Sequence, residues 1–217
     1  TQLYQGLDRQ GPGTSDDVAW ATGVAGLPND ARICDAGCGT GADIPALLEA
    51  APEGHVTGVD SENAFIDRLL MDFCDDPRVT GFKGKMGKLK GPFDFIWSAG
   101  AIYFLGIEKG LNAWRPALAK GGAIAFSEAC VFAQEPSELV ASFWDGYEGL
   151  TDISGISEQV QAAGFQTLAA RRVADAGWDA YYGSLARNIE LQREDADEEM
   201  AAVLEMAQAE IEAFQRV

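Results

Sequence analysis

Ala31-Arg32-Ile33-Cys34-Asp35-Ala36-Gly37-Cys38-Gly39-Thr40-Gly41-Ala42-Asp43 is the stretch that decides the fold of this chain. A short apolar run ends in an acidic residue. Three glycines follow at alternate positions, and a helix-like segment comes next. A backbone without side chains can pass very close to a ligand, and a helix behind it offers unpaired N–H groups. The stretch reads as strand, ligand-cradling turn and helix.

The same alternation continues outward. Residues 16–26 predict a helix packed ahead of the strand at 31–35, and residues 42–51 a helix closed by Pro52 and Gly54. Further strands are predicted at 55–60, 78–82, 93–98, 123–128 and 165–173. Between them lie helical patterns at 63–74, 108–119 and 157–163; in the first, Phe65, Ile66, Leu69, Leu70 and Phe73 share one face. Alternating strand and helix implies an α/β fold, a doubly wound, mostly parallel Rossmann-like sheet with helices on both faces. In such sheets ligands sit beyond the carboxyl ends of the strands. The loops to read are therefore 35–41, 60–62, 84–87, 98–103 and 128–132.

With 217 residues, 47% of them hydrophobic, the chain suits one domain with its own core. We divide it into an N-terminal helical cover (1–27), a ligand-binding core (28–130) and a substrate-side, helical C-terminal part (131–217). The net charge of −18 argues against nucleic acid and anionic membranes as partners. The one basic cluster, Lys83, Lys85, Lys88 and Lys90, reads as a solvated loop. No window approaches the roughly 18 apolar residues that span a bilayer, and the polar opening Thr1-Gln2-Leu3-Tyr4-Gln5 is no secretory leader. The chain starts on Thr1 rather than Met and ends on Val217 inside a helical pattern, so it reads as trimmed from a longer one. Cys34, Cys38, Cys74 and Cys130 lack zinc-knuckle spacing, and His55 is the single histidine, on a strand start at the surface. The cysteines read as small buried hydrophobes in a reduced cytoplasm, and no metal site is expected.

Gly37-x-Gly39-x-x-Ala42 satisfies the dinucleotide pattern, so NAD or FAD is one reading. Asp35 argues against it. A carboxylate close to a pyrophosphate is costly in a low dielectric, whereas one close to an ammonium or sulfonium is favourable. Gly41 adds a third alternate glycine.

Asp35-Ala36-Gly37-Cys38-Gly39-Thr40-Gly41 resembles the first motif of the class I S-adenosylmethionine (SAM) dependent methyltransferases. Val59-Asp60, 25 positions after Asp35, is similar to their second acidic position. Phe93-Asp94-Phe95-Ile96-Trp97-Ser98 resembles their fourth strand, and Leu118-Ala119-Lys120-Gly121-Gly122-Ala123-Ile124 the turn before their fifth. These motifs cover about residues 28–130. Ser98-Ala99-Gly100-Ala101-Ile102-Tyr103, Ser127-Glu128-Ala129, Gly177-Trp178-Asp179-Ala180-Tyr181-Tyr182 and the opening Arg9-Gln10-Gly11-Pro12-Gly13-Thr14 resemble a bacterial subgroup of type-11, ubiquinone-biosynthesis-like methyltransferases that act on small molecules. Two departures stand out. Lys85-Met86 replaces an acidic-apolar pair at the adenine, and no strand follows the helical region at 185–217, where the family sheet ends in a seventh strand.

The resemblance implies S-adenosyl-L-methionine as cofactor. Asp35 would face the methionine ammonium, and Gly37, Cys38, Gly39 and Thr40 would line the methionine and ribose. Asp60 would accept from the ribose hydroxyls. Ser61 would touch the ribose or cap the next helix. Backbone at Lys85 and the Met86 side chain would meet the adenine, and the Ser98 carbonyl region would pass beneath the methionine. Tyr103 is the candidate aromatic at the reacting centre or a core aromatic. Glu128 is the candidate general base or a hydrogen-bonding group inside the fold. Trp178, Tyr181 and Tyr182 roof an acceptor pocket or pack the C-terminal helices. The amphipathic stretch 190–215 covers the pocket or forms a homodimer face. The expected activity is in-line methyl transfer to a small-molecule acceptor. The alternatives are an NAD(P)-dependent oxidoreductase and a non-catalytic SAM-binding module.

Overall fold

The computed structural model describes residues 2–132, 137–147 and 149–216, so both chain ends, Thr1 and Val217, lie outside it. In chain order the elements are α1 (Gln2–Gln5), α2 (Ser15–Ala25), β1 (Arg32–Ala36), α3 (Ile44–Ala50), β2 (His55–Asp60), α4 (Asn63–Asp72), β3 (Val79–Lys83), β4 (Phe93–Ser98) and α5 (Ile107–Trp114). There follow β5 (Leu118–Phe126), β6 (Cys130–Val131), α6 (Glu138–Phe143), β7 (Thr151–Asp152), α7 (Ile153–Ala162), α8 (Asp175–Gln192) and α9 (Glu198–Phe214).

Five parallel strands form one sheet in the order β3-β2-β1-β4-β5. The strand order reverses between β1 and β4, which opens a crevice at their carboxyl ends. Both strands are apolar runs because both sheet faces are covered. Ile33, Val56, Phe95 and Trp97 pack with Val18 of α2, Leu47 of α3 and Leu69 of α4. On the other face Cys34, Val59 and Ile96 pack with Leu111 and Trp114 of α5 and Val160 of α7. A third cluster joins α1, α8 and α9 through Leu3, Leu7, Leu185, Ile189, Leu204 and Ile211. Among the described residues no helix is long and apolar enough to cross a membrane.

Three expectations need correction. Residues 165–173 do not form a strand. A strand needs a ladder neighbour and a face to bury; this segment pairs with nothing in either sheet, and most of it, including Leu168, is exposed. The fifth strand begins at Leu118 rather than Ala123: Leu118 pairs with Phe93, the register shifts over the Gly121-Gly122 segment, and pairing resumes with Ala123 opposite Phe95. His55 is half-buried, its Nε2 2.7 Å from Thr80 Oγ1 on the neighbouring strand. The two-residue parallel pair β6–β7 carries no sequence signal long enough to read. Among the described residues no strand follows α9, in keeping with the reading of that region as helical.

Candidate functional site

The glycine turn lies at the carboxyl end of β1. Gly37 and Cys38 both donate backbone N–H groups to the Val59 carbonyl (2.8 and 3.2 Å), which ties the turn to β2. Gly37 has φ +79°, and a Cβ there would stand 2.5 Å from Ala101 Cβ and 3.5 Å from Met86 Sδ. Glycine is required on both counts. Asp60, at the end of β2, accepts from Gly39 N through Oδ2 (3.0 Å) and from Glu62 N through Oδ1 (2.9 Å). It is half-exposed, so its remaining lone pairs face the crevice.

Asp35 is 3% exposed, and among the described residues no hydrogen bond reaches its carboxylate. Burial, then the negative charge of Asp43, pushes its carboxyl well above the usual range, while Arg9 opposes the shift. Asp43 precedes α3 and pairs with Arg9 through both carboxylate oxygens; it also accepts from Trp97 Nε1 at 2.8 Å. Arg9 therefore sits among three acidic groups, Asp43, Asp35 and Asp17. The next residue, Gln10, accepts from Thr40 N through Oε1 (3.2 Å), and its Nε2 contacts Thr40 Oγ1 at 3.2 Å. A Cβ on Gly39 would collide with Gln10 Oε1. The segment before α2 is thus strapped across the glycine turn.

Beside the cradle runs an open cavity of about 1440 Å³. It meets the strap at Gln10–Pro12 and the β4 loop at Gly100 and Tyr103, and it extends to Trp144 and Trp178. Its wall does not include Asp35 or Asp60. Ligand and acceptor would occupy adjoining spaces rather than one.

Residues 33–122 match the family described as methyltransferase domain. Residues 33–122 thus carry a methyltransferase domain, and the chain has the Rossmann-like fold of class I methyltransferases. A malonyl-[acyl-carrier protein] O-methyltransferase of Dechloromonas aromatica is 26% identical over 133 residues, which cover 58% of this chain and 50% of that one. The chain thus spans half the length of that curated relative. Two solved structures share the fold: a SAM-dependent methyltransferase from Geobacter sulfurreducens in complex with S-adenosyl-L-homocysteine (TM-score 0.82) and one from Thiobacillus denitrificans with the same ligand (TM-score 0.81). Each is 18% identical, and each match covers 99% of this chain and 90% of the other.

In this fold the residues singled out by sequence divide into three groups. Asp35, Gly37, Gly39, Asp60 and Met86 converge on the crevice between β1 and β4. Met86 is fixed there because its carbonyl accepts from Trp114 Nε1 at 2.7 Å. A second group turns its side chains into the fold. The Cys38 thiol points to β2, where a Cβ on Gly58 would meet Sγ at 3.0 Å. Burial pushes that thiol and the Cys34 thiol upward, so both stay neutral. Ser98 is fully buried; its Oγ donates to the Ala36 carbonyl (2.8 Å), and its own carbonyl accepts from Ser127 N (3.1 Å). Thr40 is buried beneath Gln10. A third group is exposed: Ser61, which is not the cap of α4 because Glu62 holds that position, and Lys85 with the other lysines of its loop.

Tyr103 lies on a short 3-10 turn, is 42% exposed, and is no core aromatic. Glu128 accepts from the Tyr147 hydroxyl and from Ala129 N through Oε1. Burial raises its carboxyl and these hydrogen bonds hold it down. Tyr181 and Tyr182 are buried against the C-terminal helices, with Tyr182 Oη donating to Glu210 at 3.0 Å, and they line the cavity together with Trp178. Sequence reasoning missed Asp43, Trp97 and Tyr147, and gave Arg9 and Gln10 no role. Their placement depends on contacts 28 or more residues apart in four of the five cases, such as Arg9 to Asp43 and Trp97 to Asp43, which no local period encodes.

Proposed function

We propose that this protein is an enzyme that transfers a methyl group from S-adenosyl-L-methionine to a small-molecule acceptor. The observation that carries the reading is the buried, hydrogen-bond-free carboxylate of Asp35 at the foot of a glycine cradle, with a second carboxylate, Asp60, at its rim. A buried carboxylate calls for a cation, and SAM brings an ammonium. A rim carboxylate with open lone pairs suits a ribose diol. Met86, beside Gly37, suits the flat face of an adenine. Arg9, already held next to Asp35 and Asp43, is a cation in reach of the cofactor's carboxylate. The residues fit the group.

SAM supplies an activated methyl group bonded to a positively charged sulfur. The protein's part is positioning and exclusion of water. The strap Arg9–Gln10 closes over the glycine turn through Thr40 and Asp43. Tyr103 and Glu128 stand at the acceptor side, an aromatic face and a proton acceptor. The reading treats 1–217 as one domain acting in the cytoplasm. The charge of −18 supports a small-molecule acceptor over nucleic acid. Leu191, 78% exposed on α8, supports a second copy as partner on the C-terminal helices.

Turnover of methyl-labelled SAM over a metabolite panel tests the proposal. Label transferred to one acceptor class supports it. SAM binding without transfer to any acceptor leaves a binding module instead.

A further inference from the structure

The cavity beside the cradle has an aromatic wall with an unsatisfied acid in it. Tyr103 and Tyr147 lie with ring centroids 5.5 Å apart; Trp144 stands edge-on to Tyr147 at 5.3 Å and to Trp178 at 6.4 Å. Glu128 meets this chain of rings at Tyr147. Its Oε1 takes the Tyr147 hydroxyl and the Ala129 N–H. Its Oε2 is buried and has no hydrogen-bond partner among the described residues. A carboxylate oxygen taken from water and given no donor costs free energy until something supplies one.

The protein's own bases do not supply it. The two arginines in the cavity wall are committed elsewhere, Arg171 to Asp17 (2.7 Å) and Arg172 to Asp175 (2.5 Å). Of the other acids in the cavity wall, Glu210 already accepts from Tyr182, Asp17 pairs with Arg171, and Asp145 is exposed to water. Glu128 Oε2 is therefore the place where a bound molecule gains most by donating a hydrogen bond.

We infer that the methyl acceptor is an amine, bound as its ammonium with an N–H directed at Glu128 Oε2 and its carbon substituents against the rings of Tyr103, Tyr147 and Trp144. For transfer the ammonium would give one proton to Glu128 Oε2, and the freed nitrogen lone pair would take the methyl group as its bond to sulfur breaks, releasing S-adenosylhomocysteine and the methylated ammonium. This rests on the methyltransferase reading and adds the acceptor class to it. Ring faces attract cations and repel anions. An acidic acceptor would meet Glu128 with no free base to offset the repulsion. An alcohol could donate to Oε2 but would gain nothing from the ring faces.

Calorimetric titration of the full chain tests this, with a panel of primary, secondary and tertiary arylalkyl amines and their matched alcohols and carboxylates. S-adenosylhomocysteine binding is measured on the same samples. The amines are expected to bind about tenfold more tightly than their alcohol and carboxylate counterparts. Glu128→Gln is expected to abolish that preference and leave S-adenosylhomocysteine affinity unchanged. Where Glu128→Gln fails to fold, Tyr103→Leu, on an exposed turn, serves instead, with a severalfold loss confined to the amines. Alcohols or carboxylates binding as well as amines, an intact preference in these variants, or silence across the panel overturns the inference. Amine preference without S-adenosylhomocysteine binding would keep the acid-and-ring site and overturn the methyltransferase reading, so the two failures are distinct.

Discussion

Asp60 Oδ2 accepts the Gly39 N–H at 3.0 Å, so the acid at the end of β2 holds the glycine turn that follows β1. In the proposed function this one carboxylate would serve both cofactor recognition and loop geometry. Asp60→Ala is expected to weaken S-adenosylhomocysteine binding by about tenfold or more, because a charged hydrogen-bond acceptor is lost and the turn is loosened. Asp60→Asn keeps one oxygen acceptor and should lose less. Calorimetry on both variants checks the order.

Gly37 and Gly100 both have left-handed backbone, φ +79° and +59°, but only Gly37 is crowded, by Ala101. Gly37→Ala is expected to cost about 1–3 kcal/mol more than Gly100→Ala, the backbone strain being common to both and the clash to one. Urea melts of the pair measure the difference.

Ser98 bridges the tops of β1 and β4 by donating to the Ala36 carbonyl. Ser98→Ala leaves that buried carbonyl short of a donor, an expected loss of about 1 kcal/mol. With its hydroxyl turned into the sheet, cofactor affinity should change little. A large affinity loss at unchanged stability would return Ser98 to the cofactor site.

Asp35 titrates in a direction that can be read in stability. Its carboxyl is raised by burial and by Asp43, so the folded chain holds that proton more tightly than the unfolded chain does. Stability from this group is greatest in acid, and it falls as pH rises from the ordinary carboxylate range through the raised midpoint. Asp35→Asn removes the titration. Melting of the variant at about pH 8 is expected to exceed wild type, with the gap closing toward about pH 5. The contribution of other acids, such as Asp94 held low beside Arg32, is common to both proteins and cancels.

Much of the architecture is legible in the sequence because strands buried on both faces are mostly apolar, as in Phe93–Ser98 with Asp94 its one charged residue, and helices show their own period, as in Asn63–Asp72. The cradle is legible because glycine at 37 and 39 answers a local steric demand. Residues 165–173 mislead because alternation states a preference, and a strand also needs a paired neighbour. Arg9, Asp43 and Trp97 meet across three elements, so their network follows from the tertiary fold alone. Tyr147 belongs to no motif, and only its hydrogen bond to Glu128 marks it.

Arg9 and Asp43 form a pair whose exposures are 22% and 5%. Arg9→Met strands a carboxylate that also anchors Trp97, with an expected loss of about 1–3 kcal/mol. It should also weaken the cofactor's carboxylate end. Melts with and without S-adenosylhomocysteine separate the two effects, since ligand stabilisation scales with affinity.

The central claim is that the cradle between Asp35 and Asp60 takes S-adenosylmethionine, and calorimetric titration of wild type and Asp35→Asn with S-adenosylhomocysteine and with NADH tests it most directly. Wild type is expected to bind S-adenosylhomocysteine at one site and NADH not at all, with affinity at least about tenfold weaker in the variant, which keeps the shape and loses the charge that the ammonium needs. No binding of S-adenosylhomocysteine to wild type, or equal affinity in the better-folded Asp35→Asn, would contradict the claim.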